Sequence, residues 1–407
     1  MKNNSGTISS SAGAQATAPR KGKRRLATIN DARNVLSRKG IRIRFNEVSG
    51  NIEITGMPQQ YSRENAPNIL PALLIDEFKA TGVTVSSQFI NDALTTIADE
   101  NRYNPVKDLL DGTYYDGQDR ISELEQILGI SNDTWSCLYL RKWLHQTVAM
   151  PLNDEDNPYG ADGVLVLQGA QGEGKTYFFS KIALTPDFFA EGVCIDMDRK
   201  DSVIQCTGKW IAELGELDST LKREQSSLKA FITSRRDTYR LPYARAAISR
   251  PRRTSFCATV NPEGFLNDES GSRRFWVVPV SSIDLDRLKA LDADWITQMW
   301  RQVYEQMYLP DPQGFRLTPY ERDHLQRGNR RYEKPLPGEI EILDRLYFGK
   351  EQSSWGWYKV SELIDTLELR GVSAIQAGKV LTKLARNYAG VKVKNVHNVK
   401  EYLLPVV

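Results

Sequence analysis

An apolar run, Val164-Leu-Val-Leu167, meets the glycine-rich stretch Gly169-Ala-Gln-Gly-Glu-Gly174-Lys175-Thr176, and a helix-compatible segment follows. This feature limits the fold more than any other. Four consecutive aliphatic residues before a turn read as a strand buried on both faces. A turn that satisfies GxxxxGK[ST] between such a strand and a helix reads as a phosphate-binding loop. Its glycines let successive backbone N–H groups face phosphate oxygens, at a helix N-terminus whose dipole favours anions. The expected contacts to ATP are Gly169, Gln171, Gly172, Gly174, Lys175, Thr176 and Tyr177. Lys175 is expected to reach the β- and γ-phosphates, and the Thr176 hydroxyl to ligate Mg²⁺. A tight turn without a ligand is the plainer alternative.

A phosphate loop needs acids at the end of a neighbouring strand to hold Mg²⁺ and orient water. The segment Lys209-Trp-Ile-Ala-Glu213-Leu-Gly-Glu216-Leu-Asp218 offers three after an apolar run. Glu213 is expected on the metal side and Glu216 as the water activator, with Asp218 in reserve. The run Ser255–Val260 ends in Asn261, an amide at a strand tip beside the expected γ-phosphate. The plainer reading is an Asn that opens a turn with Pro262. Arg273 and Arg274 precede another apolar strand. Either suits a finger offered to a neighbouring subunit's nucleotide, and a structural salt bridge is the alternative.

Seven arginines fall between positions 235 and 253 against one acid, Asp237, with Tyr239 and Tyr243 interleaved. Arginine with aromatics is the composition of a surface that grips phosphate backbones and stacks bases. Arg240, Tyr243, Arg245, Arg250, Arg252 and Arg253 are the expected DNA contacts. The other use for some of these arginines is the ATP site of an adjacent subunit.

The rest of the chain frames this core. Its 407 residues suggest two or three domains. Residues 1–28 carry six basic side chains and no acid, and read as a disordered basic tail. A helix, a hairpin at "IRIRFNEVSGNIEITG" and further helices make 29–150 a small, mostly helical α+β domain. Short apolar strands at 164–167, 192–196, 210–214, 255–260 and 275–280 alternate with helical stretches, so 151–309 reads as a mainly parallel α/β sheet. Residues 310–337 read as a proline-rich, charged linker. Residues 338–407 read as three helices and a two-stranded ribbon, a winged-helix-like unit. Lys379 and Lys383 on its long helix are expected to meet duplex DNA. Four cysteines without a CxxC pair and three scattered histidines argue against a zinc site or a disulfide scaffold. The lack of a long apolar run or signal core points to a soluble cytoplasmic protein with no membrane partner.

The stretches "GAQGEGKT", "WIAELGELD", "DTYRLPYARAAISRPRRTSFCATVNPEGFLND" and "GSRRFW", with the lead-in "ALTTIADENRYNPVKDLLDGTYYDGQDRI", resemble the virulence-associated protein E (VapE-like) family. The likeness spans roughly residues 90–310. The family usually has His where Asn104 stands, Trp where Tyr115 stands, and closer acids than Glu213 and Glu216. The resemblance implies a relative of the superfamily 3 helicases of phages and mobile elements. The implied architecture is α/β, with a P-loop AAA+-type parallel-sheet core. The implied activity is ATP-dependent DNA translocation by a hexameric ring, in the cytoplasm of a bacterial host cell. Lys175 and Thr176 match the nucleotide motif, Glu213 and Glu216 the acidic motif, Asn261 the sensor, and Arg273 or Arg274 the finger. Residues 29–150 are too short for the primase that many relatives carry.

Three readings compete. The first is a helicase or translocase on single-stranded DNA. The second is an AAA+-type ATPase that binds an origin or a host replication protein as a loader or switch, without unwinding. The third, a small-molecule kinase, leaves the arginine segment and the C-terminal unit without a purpose.

Overall fold

The computed structural model describes residues 25–195, 200–215, 225–240, 246–261, 264–266 and 272–407, and of 200–202 and 225–226 the backbone alone. Two units form. The first runs to Phe45 and continues over Ile52–Tyr103; the second takes Asn46–Asn51 and Asn104–Val407.

In the first unit, helix Ile29–Arg38 starts at a capping box in which Thr28 and Asp31 exchange side-chain and backbone hydrogen bonds. Strands β1 (Arg42–Asn46) and β2 (Asn51–Thr55) form the hairpin that their alternation predicts. Helices Ala66–Ala80 and Ser87–Glu100 follow, and β3 (Arg102–Tyr103) completes a sheet of order β2-β1-β3. Leu36, Ile43, Leu70, Phe78, Ile90 and Ile97 share one core.

The second unit is organised around five parallel strands: β4 (Val164–Gln168), β5 (Phe189–Val193), β6 (Ile211–Leu214), β9 (Ser255–Val260) and β10 (Phe275–Pro279). A separate hairpin of β7 (Arg236–Tyr239) and β8 (Ile248–Pro251) stands between β6 and β9 in the chain. The sheet order is β10-β4-β9-β6-β5. Strand β4, which leads into the glycine-rich loop, therefore has β9 on one side and β10 on the other. Because all five strands are parallel, their C-terminal ends share one edge, where ligands of open α/β sheets bind.

Alternation in β4 feeds two cores. Leu165 and Leu167 pack with Trp143, Phe178 and Trp276, whereas Val164 and Val166 pack with Phe231 and Phe256. Helix Thr134–Ala149 belongs to this body: Trp143 Nε1 donates to Phe256 O at 2.7 Å, and Gln146 Nε2 to Gly163 O at 2.9 Å. The domain boundary thus falls near residue 103, not at 150 as the sequence suggested. The amide of Asn104 sits at that junction, capping helix Pro105–Asp111 and donating to Pro151 O at 2.8 Å. The linker assigned to 310–337 is also corrected. It contains helix Pro319–Asn329, opened by a Thr318–Glu321 capping box, and it buries Phe315, Leu317 and Tyr332.

The C-terminal residues give helix Glu339–Leu343, β11 (Gly356–Lys359), helices Val360–Thr366 and Ala374–Asn387, then β12 (Val393–Val396) and β13 (Val399–Leu404). These three strands form an antiparallel sheet of order β11-β13-β12 over a core of their own. His397 and Asn398 both have positive φ, as a two-residue hairpin turn requires. Among the described residues no helix is long and apolar enough to cross a membrane.

Candidate functional site

The loop after β4 is shaped by its glycines. Gly172 (φ +90°) and Gly174 (φ +81°) occupy the left-handed region, and helix Lys175–Ile182 begins directly after Gly174. Gly169 is required for a different reason. A Cβ there would stand 2.3 Å from Val280 O, which belongs to the backbone beside β10. The buried Lys175 Nζ donates to Gly169 O at 2.9 Å, to Ala170 O at 2.5 Å and to Asn261 Oδ1 at 3.0 Å. Burial lowers its pKa, and the Glu173 carboxylate acts in the opposite direction. Gln171 and Tyr177 are exposed beside the loop.

Parallel pairing brings the next residues to the same edge. Glu213 on β6 is buried, and its Oε1 accepts from Thr176 Oγ1 and from Thr259 Oγ1, each at 2.8 Å. Burial raises the Glu213 carboxyl above its ordinary range; the two threonines pull it down, and the Glu191 carboxylate pushes it up. Thr259 went unnoticed in the sequence. Its one signal is a hydroxyl within the apolar run of β9, two positions before Asn261. Glu216 and its reserve Asp218 lie outside the described residues.

This donor set fits a nucleotide with its Mg²⁺. The cradle excludes a Cβ at Gly169, a helix N-terminus opens at Lys175, and two hard oxygen ligands, Thr176 Oγ1 and Glu213 Oε1, stand 2.8 Å apart. Among the described residues no group of three or more His, Cys, Asp or Glu could hold a metal. Mg²⁺ does not need one, because it takes one or two protein ligands beside substrate phosphates and water.

The expected arginines divide. Arg273 is exposed and Arg274 half-buried at the start of β10. Arg240 is exposed at the end of β7, whereas Tyr243 and Arg245 lie outside the described residues. Three expected DNA contacts are instead structural. Arg252 is 1% exposed; its Nε donates to both oxygens of Asp237, at 2.7 and 2.9 Å, and Nη1 donates to Phe231 O at 2.8 Å. Arg253 is buried, donating to Pro151 O at 2.6 Å and Asn153 O at 3.2 Å. Arg250 donates to Glu47 O and Val48 O, both at 2.9 Å, and to Thr207 O at 2.8 Å. The physical reason is that buried carbonyls and the buried Asp237 need donors, and a guanidinium supplies several at once. Tyr239 is buried as well.

Lys383 needs the same correction. Its ammonium donates to Glu339 at 2.8 Å and pairs with Glu333 at 3.6 Å, so that face of helix Ala374–Asn387 turns to the chain's own 333–339 segment rather than to duplex DNA. Lys379, one turn earlier, is exposed beside the same segment.

A five-stranded parallel sheet that gathers a glycine loop, a lysine, an acid and an amide at one edge makes this a mixed α/β protein with one composite polar site. The chain matches the virulence-associated protein E-like domain over residues 110–334, more than half its length, and it belongs to that family. It is similar to the apo structure of the NrS-1 C-terminal region (305–718) at 13% identity and a TM-score of 0.47, covering 92% of this chain and 98% of that one. The A form of the apo NrS-1 C-terminal region gives 14% identity and a TM-score of 0.47 over the same shares. No curated protein matches the chain.

Proposed function

We propose that this protein is a Mg²⁺-dependent ATPase of the AAA+ type, related to superfamily 3 helicases, that moves along or separates DNA during replication of a phage or mobile element in the bacterial cytoplasm. One observation carries the reading: beside the glycine loop, Lys175 bonds the Asn261 amide and its chain neighbour Thr176 bonds the Glu213 carboxylate, so residues from three different parts of the chain meet at one sheet edge.

In this reading the loop amides and Lys175 hold the β- and γ-phosphates, while Gln171 and Tyr177 flank the nucleotide. Thr176 and Glu213 would hold Mg²⁺, which when bound draws charge from the phosphate oxygens. Asn261 accepts from Lys175, which supports its reading as a sensor of the group that Lys175 grips. Glu216 orients the attacking water. Arg273 or Arg274 serves a neighbouring copy's nucleotide in a hexameric ring. Arg240, with Tyr243 and Arg245, offers the β7–β8 insert to single-stranded DNA.

The C-terminal element order, helix–strand–helix–helix–strand–strand, supports a winged-helix-like unit. The loader or switch reading has its own support, because the burial of Arg252 and Arg253 leaves the insert fewer exposed cations than its composition promised. Displacement of a labelled strand from a forked duplex, with Lys175→Ala as the blank, separates the two. ATP-dependent displacement supports the helicase, and hydrolysis without displacement supports the loader.

A further inference from the structure

A cavity of about 710 Å³ lies between segment 333–337 and helix Ala374–Asn387, away from the glycine loop. The buried Leu266 stands at its base, with Leu336 and Ile375 on opposite walls; Ile375 is 75% exposed. Lys334, Lys379 and Arg386 are exposed around this apolar surface. The acid in the wall, Glu333, is half-buried and faces Lys383 and Arg386, each at 3.6 Å. The groove is therefore apolar within and cationic outside, and its volume falls in the range of built binding clefts, about 300–1,000 Å³.

The wall also says how an occupant would bind. Lys334 N donates to Leu266 O at 2.8 Å and Leu336 N to the Glu339 carboxylate at 2.6 Å. Pro335 and Pro337 have no N–H. Segment 334–337 consequently offers no donors to an added strand, so recognition must run through side chains, as it does for an amphipathic helix laid in a groove. Nucleic acid is also anionic, but the lining offers no aromatic face on which a base could stack, and its apolar surface comes from Leu266, Leu336, Ile375 and two prolines.

We infer that this groove docks an acidic amphipathic helix of a partner protein, its apolar residues on Leu266, Leu336 and Ile375 and its carboxylates on Lys334, Lys379 and Arg386. Leu266 pairs with Glu333 as a parallel bridge and follows Asn261 by five positions, so the docked helix would sit on the chain that leads out of the composite site.

The test uses the full-length protein and a fluorescein-labelled peptide of about twelve residues, rich in Asp and Glu with Leu at i, i+3 and i+4. Controls are a Lys-for-acid version of the peptide and an oligothymidylate of equal length. The acidic peptide is expected to raise the polarisation and the basic one not to. Ile375→Asp and Lys379→Glu should each weaken binding by about tenfold or more at unchanged melting temperature. Lack of binding to the wild type, or affinity indifferent to both substitutions, would overturn the inference. Oligothymidylate bound in place of the peptide, and lost in the same variants, would overturn it too and make the groove a nucleic-acid face.

Discussion

The hydroxyl of Thr176 donates to the Glu213 carboxylate across 2.8 Å, joining the first turn after the glycine loop to strand β6. Thr259 donates to the same oxygen from β9. A carboxylate buried between two hydroxyls is costly while charged, and its pKa is raised above the ordinary glutamate value of 4.5, chiefly by burial. The folded chain thus keeps this proton to a higher pH than the unfolded chain does. Stability from this group is lost as pH rises from about 4.5 through the raised folded value. Glu213→Gln should melt higher than the wild type at pH 7, with the gap closing below about pH 4.5. Its ATP hydrolysis should fall by about 100-fold or more, because a carboxamide cannot neutralise a metal. Melting curves across pH and steady-state rates check both halves.

Arg252 and Arg240 should behave in opposite ways. Arg252→Ala leaves Asp237 charged and buried, and should cost about 3–5 kcal/mol of stability. The double variant with Asp237→Ala should recover part of that loss. Arg240→Ala lies on an exposed position and should leave the melting temperature unchanged. It should lower the salt slope of single-strand binding by about one. Thermal melts beside a salt titration separate the two arginines.

Asn261→Ala removes the side-chain partner of Lys175. In the proposed mechanism, turnover should drop by about 100-fold, with KM for ATP within a few-fold of the wild type. Asn261→Asp keeps an acceptor for Lys175 but adds an anion beside the expected phosphate. It should be no more active than the alanine variant. A rise in KM with unchanged turnover in Asn261→Ala would place this residue in ground-state binding alone.

Two glycines of the loop should rank by what meets the new methyl. At Gly174 it lies 2.4 Å from Leu285 Cδ2, a side chain that can move, and the backbone strain at φ +81° costs roughly 1–2 kcal/mol. At Gly169 it lies 2.3 Å from Val280 O, and Val280 N is itself bonded to Gln168 O at 2.8 Å. Gly169→Ala should therefore lose more stability than Gly174→Ala, as denaturant melts would show.

Much of this arrangement was legible in the sequence because it rests on local pattern. Val164–Leu167 reads as a buried strand, and the spacing of Gly169, Gly174 and Lys175 carried the loop. Glu213 followed from an acid at the end of an apolar run. What was not legible depends on burial. Seven arginines against one acid looked like a one-sided surface, yet carbonyl groups are partners that composition does not count. The acid Asp237 also counts for more than one charge when it is buried. Thr259 is a single hydroxyl in a strand, and nothing before folding says that it meets Glu213. The boundary drawn at residue 150 failed because helix Thr134–Ala149 also buries polar residues, with Gln146 bonding Gly163 O and Thr147 bonding Ser255 at the sheet. The supposed linker hid its helix behind Pro319, which at the first helical position starts a helix rather than breaking one.

The central claim is that the set around Lys175 hydrolyses ATP in response to DNA. Steady-state hydrolysis should be measured without DNA, with single strands and with duplex, using Lys175→Ala as the blank. The account predicts Mg²⁺-dependent turnover that single strands stimulate and that the lysine variant lacks. Turnover retained by Lys175→Ala would contradict it, and so would hydrolysis indifferent to every form of DNA.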